Sequence, residues 1–253
     1  MGLTSHRFYI REKPEESARI FLKGTEHHHL SKVARIKPGE LVWIFNENGK
    51  QHKACVETIE KDQTSLKILA TEQKQEPKVR ITLAQVMLKT KKMDLVIQKA
   101  TELEAYTIIP IISDRTFAKI ENKQDNKMER WNRIMIEAAK QCGRSSVPEI
   151  LLPIGLKAFI TGKNEGKKLF LSERGGKSLR KILMYPLTEK KNIPNSIILL
   201  IGPEGGWTER EEQDIMDSYY EAASLGSLTL RAETAAIVSL AMVSHFWKNV
   251  DVS

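Results

Sequence analysis

From Ile81 onward the chain alternates short apolar runs with stretches whose apolar residues recur at helical spacing, and this alternation restricts the fold more than any other feature. Ile81 to Leu88 is an apolar run of strand length. Met93, Val96, Ile97, Ala100 and Leu103 then fall on one helical face before a second strand-like run, Ile108-Ile109-Pro110-Ile111-Ile112. Trp131, Ile134, Met135, Ala138 and Cys142 mark another amphipathic helix, and Glu149 to Leu152, Lys168 to Leu171 and Ser196 to Ile201 read as strands. Helices alternating with strands imply an α/β fold with a mainly parallel sheet covered on both faces.

The first 70 or so residues differ. Arg7-Phe8-Tyr9-Ile10, Arg19-Ile20-Phe21-Leu22, Leu41 to Phe45, Ala54 to Ile59 and Ser65 to Leu69 are short strands, with a hairpin turn at Asn46-Glu47-Asn48-Gly49. A helical segment around Glu26 to Arg35 runs into the turn Lys37-Pro38-Gly39-Glu40. These elements predict a small β-barrel. Thr71 to Lys78 is polar, aperiodic and contains Pro77, so it reads as a linker. The expected division is a barrel over 1–72, a linker over 73–78 and an α/β domain over 79–253.

The 253 residues, 41% hydrophobic and 28% charged, suffice for a full-sized core. The longest apolar runs fall far short of the roughly 20 residues of a membrane span. Met1 to Arg7 lacks the apolar core of a secretory signal, so a cytoplasmic location is expected. Cys55 and Cys142 form neither a disulfide framework nor a paired metal motif. Net charge is +8, unevenly spread: residues 73–200 carry 25 Lys/Arg against 13 Asp/Glu, whereas residues 201–253 carry 3 against 9. A basic mid-chain region favours a polyanion such as nucleic acid, through phosphate neutralisation.

Two C-terminal segments read as walls of a small-molecule site. Ile197 to Ile201 runs into Gly202-Pro203-Glu204-Gly205-Gly206-Trp207, and Leu225-Gly226-Ser227-Leu228-Thr229-Leu230 precedes Arg231-Ala232-Glu233-Thr234-Ala235. Glycine-bearing turns at the carboxyl ends of parallel strands offer bare backbone to a ligand. Thr208-Glu209-Arg210-Glu211 is a capping box that starts a helix after the first turn. The last helix, about Glu233 to Val250, is apolar on more than one face (Ala235, Ile237, Val238, Leu240, Ala241, Val243), which suggests an oligomer interface. The glycines do not match G-x-G-x-x-G, because Glu204 holds the second glycine position, so an ordinary NAD or FAD site is not expected. Gly175-Gly176-Lys177-Ser178 is not a P-loop, because Leu171 stands where its first glycine belongs. His27-His28-His29 lacks a partner at metal-ligand spacing and reads as solvated or RNA-facing. Cys142, on the apolar stripe of its helix, reads as a buried small hydrophobe rather than a nucleophile.

Together, Ile201 to Trp207, the segment Leu225 to Ala235, and Glu137-Ala138-Ala139-Lys140-Gln141-Cys142-Gly143-Arg144 resemble the small-subunit rRNA uracil-N3 methyltransferases of the trefoil-knotted SPOUT class. The likeness continues through Lys89 to Leu103, Arg7-Phe8-Tyr9, and His28-His29-Leu30 with Val33-Ala34-Arg35. It covers nearly the whole chain, with the motifs in the same order. The resemblance implies an N-terminal PUA-like β-barrel that helps grip RNA and a C-terminal domain whose chain end threads through a loop. Composition does not reveal such a knot, since true knots are rare.

The cofactor implied is S-adenosylmethionine, held among three loops: Leu171 to Gly175, Ile201 to Gly206, and Leu225 to Leu230. The residues implied to hold it are Leu171, Ser172, Glu173, Ile201, Gly202, Pro203, Gly205, Gly206, Leu225, Gly226, Leu230, Thr234 and Ala235. Family members often carry a histidine- and proline-bearing first loop, where this chain has Ser172-Glu173-Arg174-Gly175-Gly176. The implied reaction methylates N3 of one uridine in 16S rRNA of the small ribosomal subunit or its late precursor, by a homodimer that uses no metal. Arg231 is placed to stabilise the uracil anion, the structural alternative being that it pairs with Glu204 or Glu233. Glu204 is a brace or the acceptor of the N3 proton. Arg7, Arg35, Lys89, Lys91, Lys92, Arg115, Arg133 and Arg144 are candidate RNA contacts. The alternatives are a non-catalytic RNA-binding assembly factor and a 2′-O-ribose methyltransferase of another knotted branch.

Overall fold

The computed structural model describes residues 6–11, 14, 18–46, 49–73, 77–116, 124–189 and 192–248. Glu47 and Asn48 of the expected hairpin turn, 74–76 of the expected linker and the end of the expected last helix at Val250 lie outside the described residues. The chain forms two compact units, one of residues 1–76 with 136–147 and the other of residues 77–135 with 148–253.

The first unit is a five-stranded sheet of β1 (Arg7–Tyr9), β2 (Arg19–Lys23), β3 (Leu41–Phe45), β4 (Lys50–Ile59) and β5 (Gln63–Gln73), in the order β1-β3-β4-β5-β2. β1 pairs parallel with β3 and the remaining pairs are antiparallel. Register shifts at Lys53/Ala54 and Val56/Thr58 bend the long β4–β5 ribbon, as bulges do, so that one face closes on a core of Phe8, Ile20, Leu30, Ile44, Leu66 and Ile68. Between β2 and β3, α1 (Gly24–His28) opens into a π turn over His29–Val33. The expected helix from Glu26 to Arg35 is therefore shorter and wider, and Arg35 leaves it with φ 54°.

His27 is buried rather than solvated. Its ring nitrogens meet the Thr64 hydroxyl at 2.8 Å and the Lys61 carbonyl at 3.2 Å, which satisfies a polar ring away from water. Residues 136–147 also belong to this unit, where Tyr9, Phe45 and Ala139 pack together and Lys140 is buried between Glu26 and Glu137. Cys142 is exposed, in the last turn of its helix, where the apolar stripe has run past the packed face.

The second unit follows in chain order as β6 (Arg80–Val86), α2 (Thr90–Glu102), β7 (Thr107–Ile112), α3 (Gln124–Cys142, whose end from Ile136 is counted with the first unit), β8 (Glu149–Ile150), β9 (Ile154–Gly155), α4 (Leu156–Ile160), β10 (Lys167–Leu171), β11 (Lys177–Ser178), α5 (Leu179–Thr188), β12 (Ser196–Ile201), α6 (Glu209–Asp217), β13 (Glu221–Ser224) and α7 (Ala232–Val243), which passes into a π turn over Ser244–Lys248. Its strands form one sheet, ordered β11-β13-β10-β12-β6-β7-β8 with β9 beside β7, and every described pair is parallel. One face carries Ala84, Val86, Phe170, Ile198 and Leu200 against Phe159, Trp207 and Ile215. The other is covered by α2, α5 and α7. The buried Trp247 anchors the C-terminal turn by donating to the Leu183 carbonyl at 2.9 Å.

β13 lies between β10 and β11, yet α7, which follows it, packs on β6, β12 and α2. The chain leaving β13 therefore crosses back over two strands, and this crossing brings its loop beside those after β10 and β12. β13 itself was not expected: Glu-Ala-Ala-Ser is a poor strand sequence, and its place between two strands overrides that propensity.

Candidate active site

Because the sheet is parallel, the loops after β10, β12 and β13 emerge at one edge, where they form a cleft. Its lining includes Leu171, Ser172, Glu173, Ile201, Gly202, Pro203, Gly206, Leu225, Gly226, Leu230 and Ala235 from the expected set. Gly205 and Thr234 do not line it. Trp207, Ser227, Leu228, Thr229 and Ala232, which belong to the two segments read as walls, also line it. Ala223 and Ser224 do too and were not expected, because the strand that ends in them was not legible in the sequence.

The loops are tied to each other by specific bonds. Trp207 Nε1 donates to the Leu171 carbonyl at 2.9 Å, which joins the loop after β12 to the end of β10. This needs glycine at 202, where a Cβ would sit 3.0 Å from Trp207 Cε2. Gly206 turns with φ +67°, and a Cβ there would lie 3.3 Å from Glu173 Oε2. Buried Glu212 of α6 accepts from the Ser172 hydroxyl and, at 2.5 Å, from Arg174 Nη1; that hydroxyl also accepts the Arg174 amide at 3.1 Å. Ser172 and Arg174 thus fix the first loop without the histidine and proline common elsewhere. In the loop after β13, the Ser224 hydroxyl donates to the Gly226 carbonyl at 3.0 Å and accepts its amide at 3.2 Å.

Beneath the cleft, buried Gln85 at the end of β6 donates to the Val86 carbonyl at 2.9 Å and reaches the Gly202 carbonyl at 3.4 Å. The capping box is formed in full, with the Thr208 hydroxyl accepting the Glu211 amide and Glu211 Oε2 accepting the Thr208 amide. Glu211 Oε1 also accepts the Asp114 amide at 2.9 Å, and Arg115 donates to the Gly205 carbonyl at 2.6 Å, so the segment after β7 clamps the glycine turn.

Arg231 occupies the N-cap of α7 and is exposed; its carbonyl accepts the Ala235 amide at 2.8 Å, and its guanidinium has no hydrogen bond or ion pair among the described residues. The carboxylates that the alternative reading pairs with it are held instead by Lys92, whose Nζ lies 2.5 Å from Glu204 Oε1 and 3.5 Å from Glu233 Oε1. The hydrogen bond that Lys92 donates to Glu204 pushes its ammonium above its ordinary pKa. Glu233 is buried, and its Oε2 has no partner among the described residues.

The basic candidates divide by setting. Lys89, Lys91 and Arg115 are exposed and, with Lys92, stand at the carboxyl edge of the sheet, whereas Arg133 is exposed on α3. In the first unit Arg35 is exposed, but Arg144 is buried and Arg7 half-buried. The Arg7 guanidinium lies 5.3 Å from the centre of the Phe45 ring and donates to Gln51 Oε1 and the Arg144 carbonyl, a bracing arrangement within that unit. Among the described residues no cluster of His, Cys, Asp or Glu is disposed to hold a metal ion, and no helix is long and apolar enough to cross a membrane.

Residues 74–244 match the family model of the RNA methyltransferase domain, and residues 22–69 match that of the RNA methyltransferase PUA domain. Ribosomal RNA small subunit methyltransferase E of Aquifex aeolicus is 33% identical, over 95% of this chain and 100% of its own. Among solved structures, a Legionella pneumophila protein in complex with its bound cofactor S-adenosylmethionine superposes with a TM-score of 0.86 at 32% identity, covering 95% of this chain and 97% of that one. The ribosomal RNA small subunit methyltransferase E of Neisseria gonorrhoeae bound to S-adenosylmethionine gives 0.85 at 31% identity, covering 96% and 98%. A chain matched in both domains and along its whole length by these proteins belongs to the ribosomal RNA small subunit methyltransferase E family, with a PUA-like domain followed by a SPOUT-class methyltransferase domain.

Proposed function

We propose that this protein transfers the methyl group of S-adenosylmethionine to N3 of one uridine in 16S rRNA of the small ribosomal subunit, in the cytoplasm and as a homodimer. The observation that carries the reading is the convergence of three glycine- and leucine-bearing loops on one cleft, next in sequence to a cation, Arg231, whose side chain has no partner among the described residues.

The lining suits the cofactor. Leu171, Ile201, Leu225, Leu230 and Ala235 offer apolar contact to an adenine ring and a thioether chain, Gly226 leaves open space where a Cβ would stand, and the Glu173 carboxylate suits a cationic group. When bound there, S-adenosylmethionine supplies an electrophilic methyl group. The protein's part is positioning and exclusion of water. Uracil N3–H is a weak acid, and loss of its proton spreads negative charge over O2 and O4. Arg231, at a helix N-cap where the backbone dipole is also positive, stabilises that charge. Glu204, already bonded to Lys92, serves as a brace.

Lys89, Lys91 and Arg133 hold rRNA phosphates, and Arg35 offers a cation on the barrel. Arg7, Arg115, Arg144 and Lys92 have structural partners that limit such a role. Homodimerisation is supported by α7, where Ile237, Val238, Ala241 and Met242 remain only partly covered. The test is incubation with labelled S-adenosylmethionine and small subunits from cells lacking the enzyme. Label entering 16S rRNA supports the reading, and a protein that binds those subunits without transferring label contradicts it.

A further inference from the structure

The triangle of Lys92, Glu204 and Glu233 joins three elements that approach one another only through the fold: the first turn of α2, the glycine turn after β12 and the first turn of α7. Two carboxylates share one ammonium, leaving a local charge of −1. Glu233 is buried, one of its oxygens has no partner among the described residues, and it lies two positions from Arg231. A carboxylate buried without full compensation attracts any cation in reach, because desolvation raises the cost of leaving it unpaired. Arg231 is the cation nearest to it in the chain, yet its guanidinium is exposed and has no partner among the described residues.

We propose that Lys92 is a positioning residue which occupies Glu204 and Glu233 so that the Arg231 guanidinium stays free at the mouth of the cleft. This rests on the reading of Arg231 as the cation beside the target uracil. Lys92 then acts through charge. Removal of the ammonium takes the cluster to −2, and Arg231 is drawn onto the carboxylates. Neutralising Glu233 in that background returns the charge to −1 and releases it.

The test compares wild type, Lys92→Arg, Lys92→Met and the double variant Lys92→Met/Glu233→Gln. Three readouts are taken on each protein: S-adenosylmethionine affinity by calorimetry, the rate at which phenylglyoxal modifies Arg231 followed by mass spectrometry with Arg133 as internal reference, and single-turnover methylation of small subunits. Wild-type methylation tests the functional reading itself, and the variants test Lys92. Lys92→Met should keep cofactor affinity, slow the modification of Arg231 several-fold and lower the methylation rate about 10-fold or more, a part of the loss expected when an anion-stabilising donor is removed. Lys92→Arg should behave like wild type, and the double variant should recover both Arg231 reactivity and rate. Unchanged Arg231 reactivity in Lys92→Met overturns the proposal. So does a raised KM for the ribosomal substrate with an unaltered rate, which marks a phosphate contact. Loss of cofactor binding that Glu233→Gln does not repair also overturns it, because Lys92 is then only a brace.

Discussion

Gly202→Ala tests whether the cleft depends on the close approach of two loops. A Cβ at this position would lie 3.0 Å from Trp207 Cε2 and 3.1 Å from Nε1, whereas carbon contacts are optimal at about 3.5–4.0 Å. The indole is buried in a cluster with Phe170, Ile198, Leu200 and Ile215, so it cannot swing aside and must be displaced by roughly half an ångström. Its 2.9 Å bond to the Leu171 carbonyl weakens as it moves. Overpacking of this kind costs about 1–3 kcal/mol and a weakened hydrogen bond about 1 kcal/mol. If roughly half of that falls on the bound state, S-adenosylmethionine affinity drops about 10-fold, since each 1.4 kcal/mol is a factor of ten. Calorimetric titration measures the affinity and thermal unfolding measures the remainder. Trp207→Phe removes the atoms that clash, so Gly202→Ala should cost little in that background and a double-mutant cycle should show coupling on the order of 1 kcal/mol. An affinity within twofold of wild type, together with an additive cycle, would refute the reasoning.

Arg231→Ala should lower the methylation rate by about 10²-fold or more while leaving S-adenosylmethionine affinity unchanged, as single-turnover kinetics and calorimetry will show. Trp247→Ala empties a fully packed site and removes the donor to the Leu183 carbonyl, so denaturant unfolding should report a loss of about 3–5 kcal/mol. Burial raises the Glu221 carboxyl, but bonds from Lys167 and Lys177 outweigh it and hold its pKa below 4.5. A pKa lowered on folding contributes stability that is present above the unfolded value and lost as pH falls through the folded one. Wild type should therefore exceed Glu221→Gln in stability at neutral pH, and the difference should shrink as pH falls below 4.5 and vanish in stronger acid, in melts across that range. A gap that persists in acid would dismiss the ion pairs as its source.

What local pattern encodes was legible before the structure. The apolar run Ser196 to Ile201 is a strand of those limits, and Thr208 and Glu211 form their capping box, because both depend on neighbours in sequence. β13 was not legible, since Glu-Ala-Ala-Ser is a strand only by lying between β10 and β11. The crossing after β13 came from the family resemblance alone, as no periodicity records where a chain threads. Within the site, the glycine-bearing turns are visible as motifs, but Gln85 and Glu212 support them from strand and helix positions that carry no motif. The pairing of Glu204 and Glu233 with Lys92 rather than Arg231 is a matter of distance across more than a hundred residues. His27 and Cys142 went against expectation for opposite reasons: the buried ring found partners in the Thr64 hydroxyl and the Lys61 carbonyl, and the thiol reached the end of its helix beyond the packed stripe.

The central claim concerns which atom receives the methyl group. Small subunits from cells lacking the enzyme, treated with the protein and isotopically labelled S-adenosylmethionine, can be digested to nucleosides and separated by chromatography with mass detection. The account predicts labelled 3-methyluridine from 16S rRNA, with about 10²-fold less produced in the same interval by Arg231→Ala. Label recovered as 2′-O-methyluridine would contradict it.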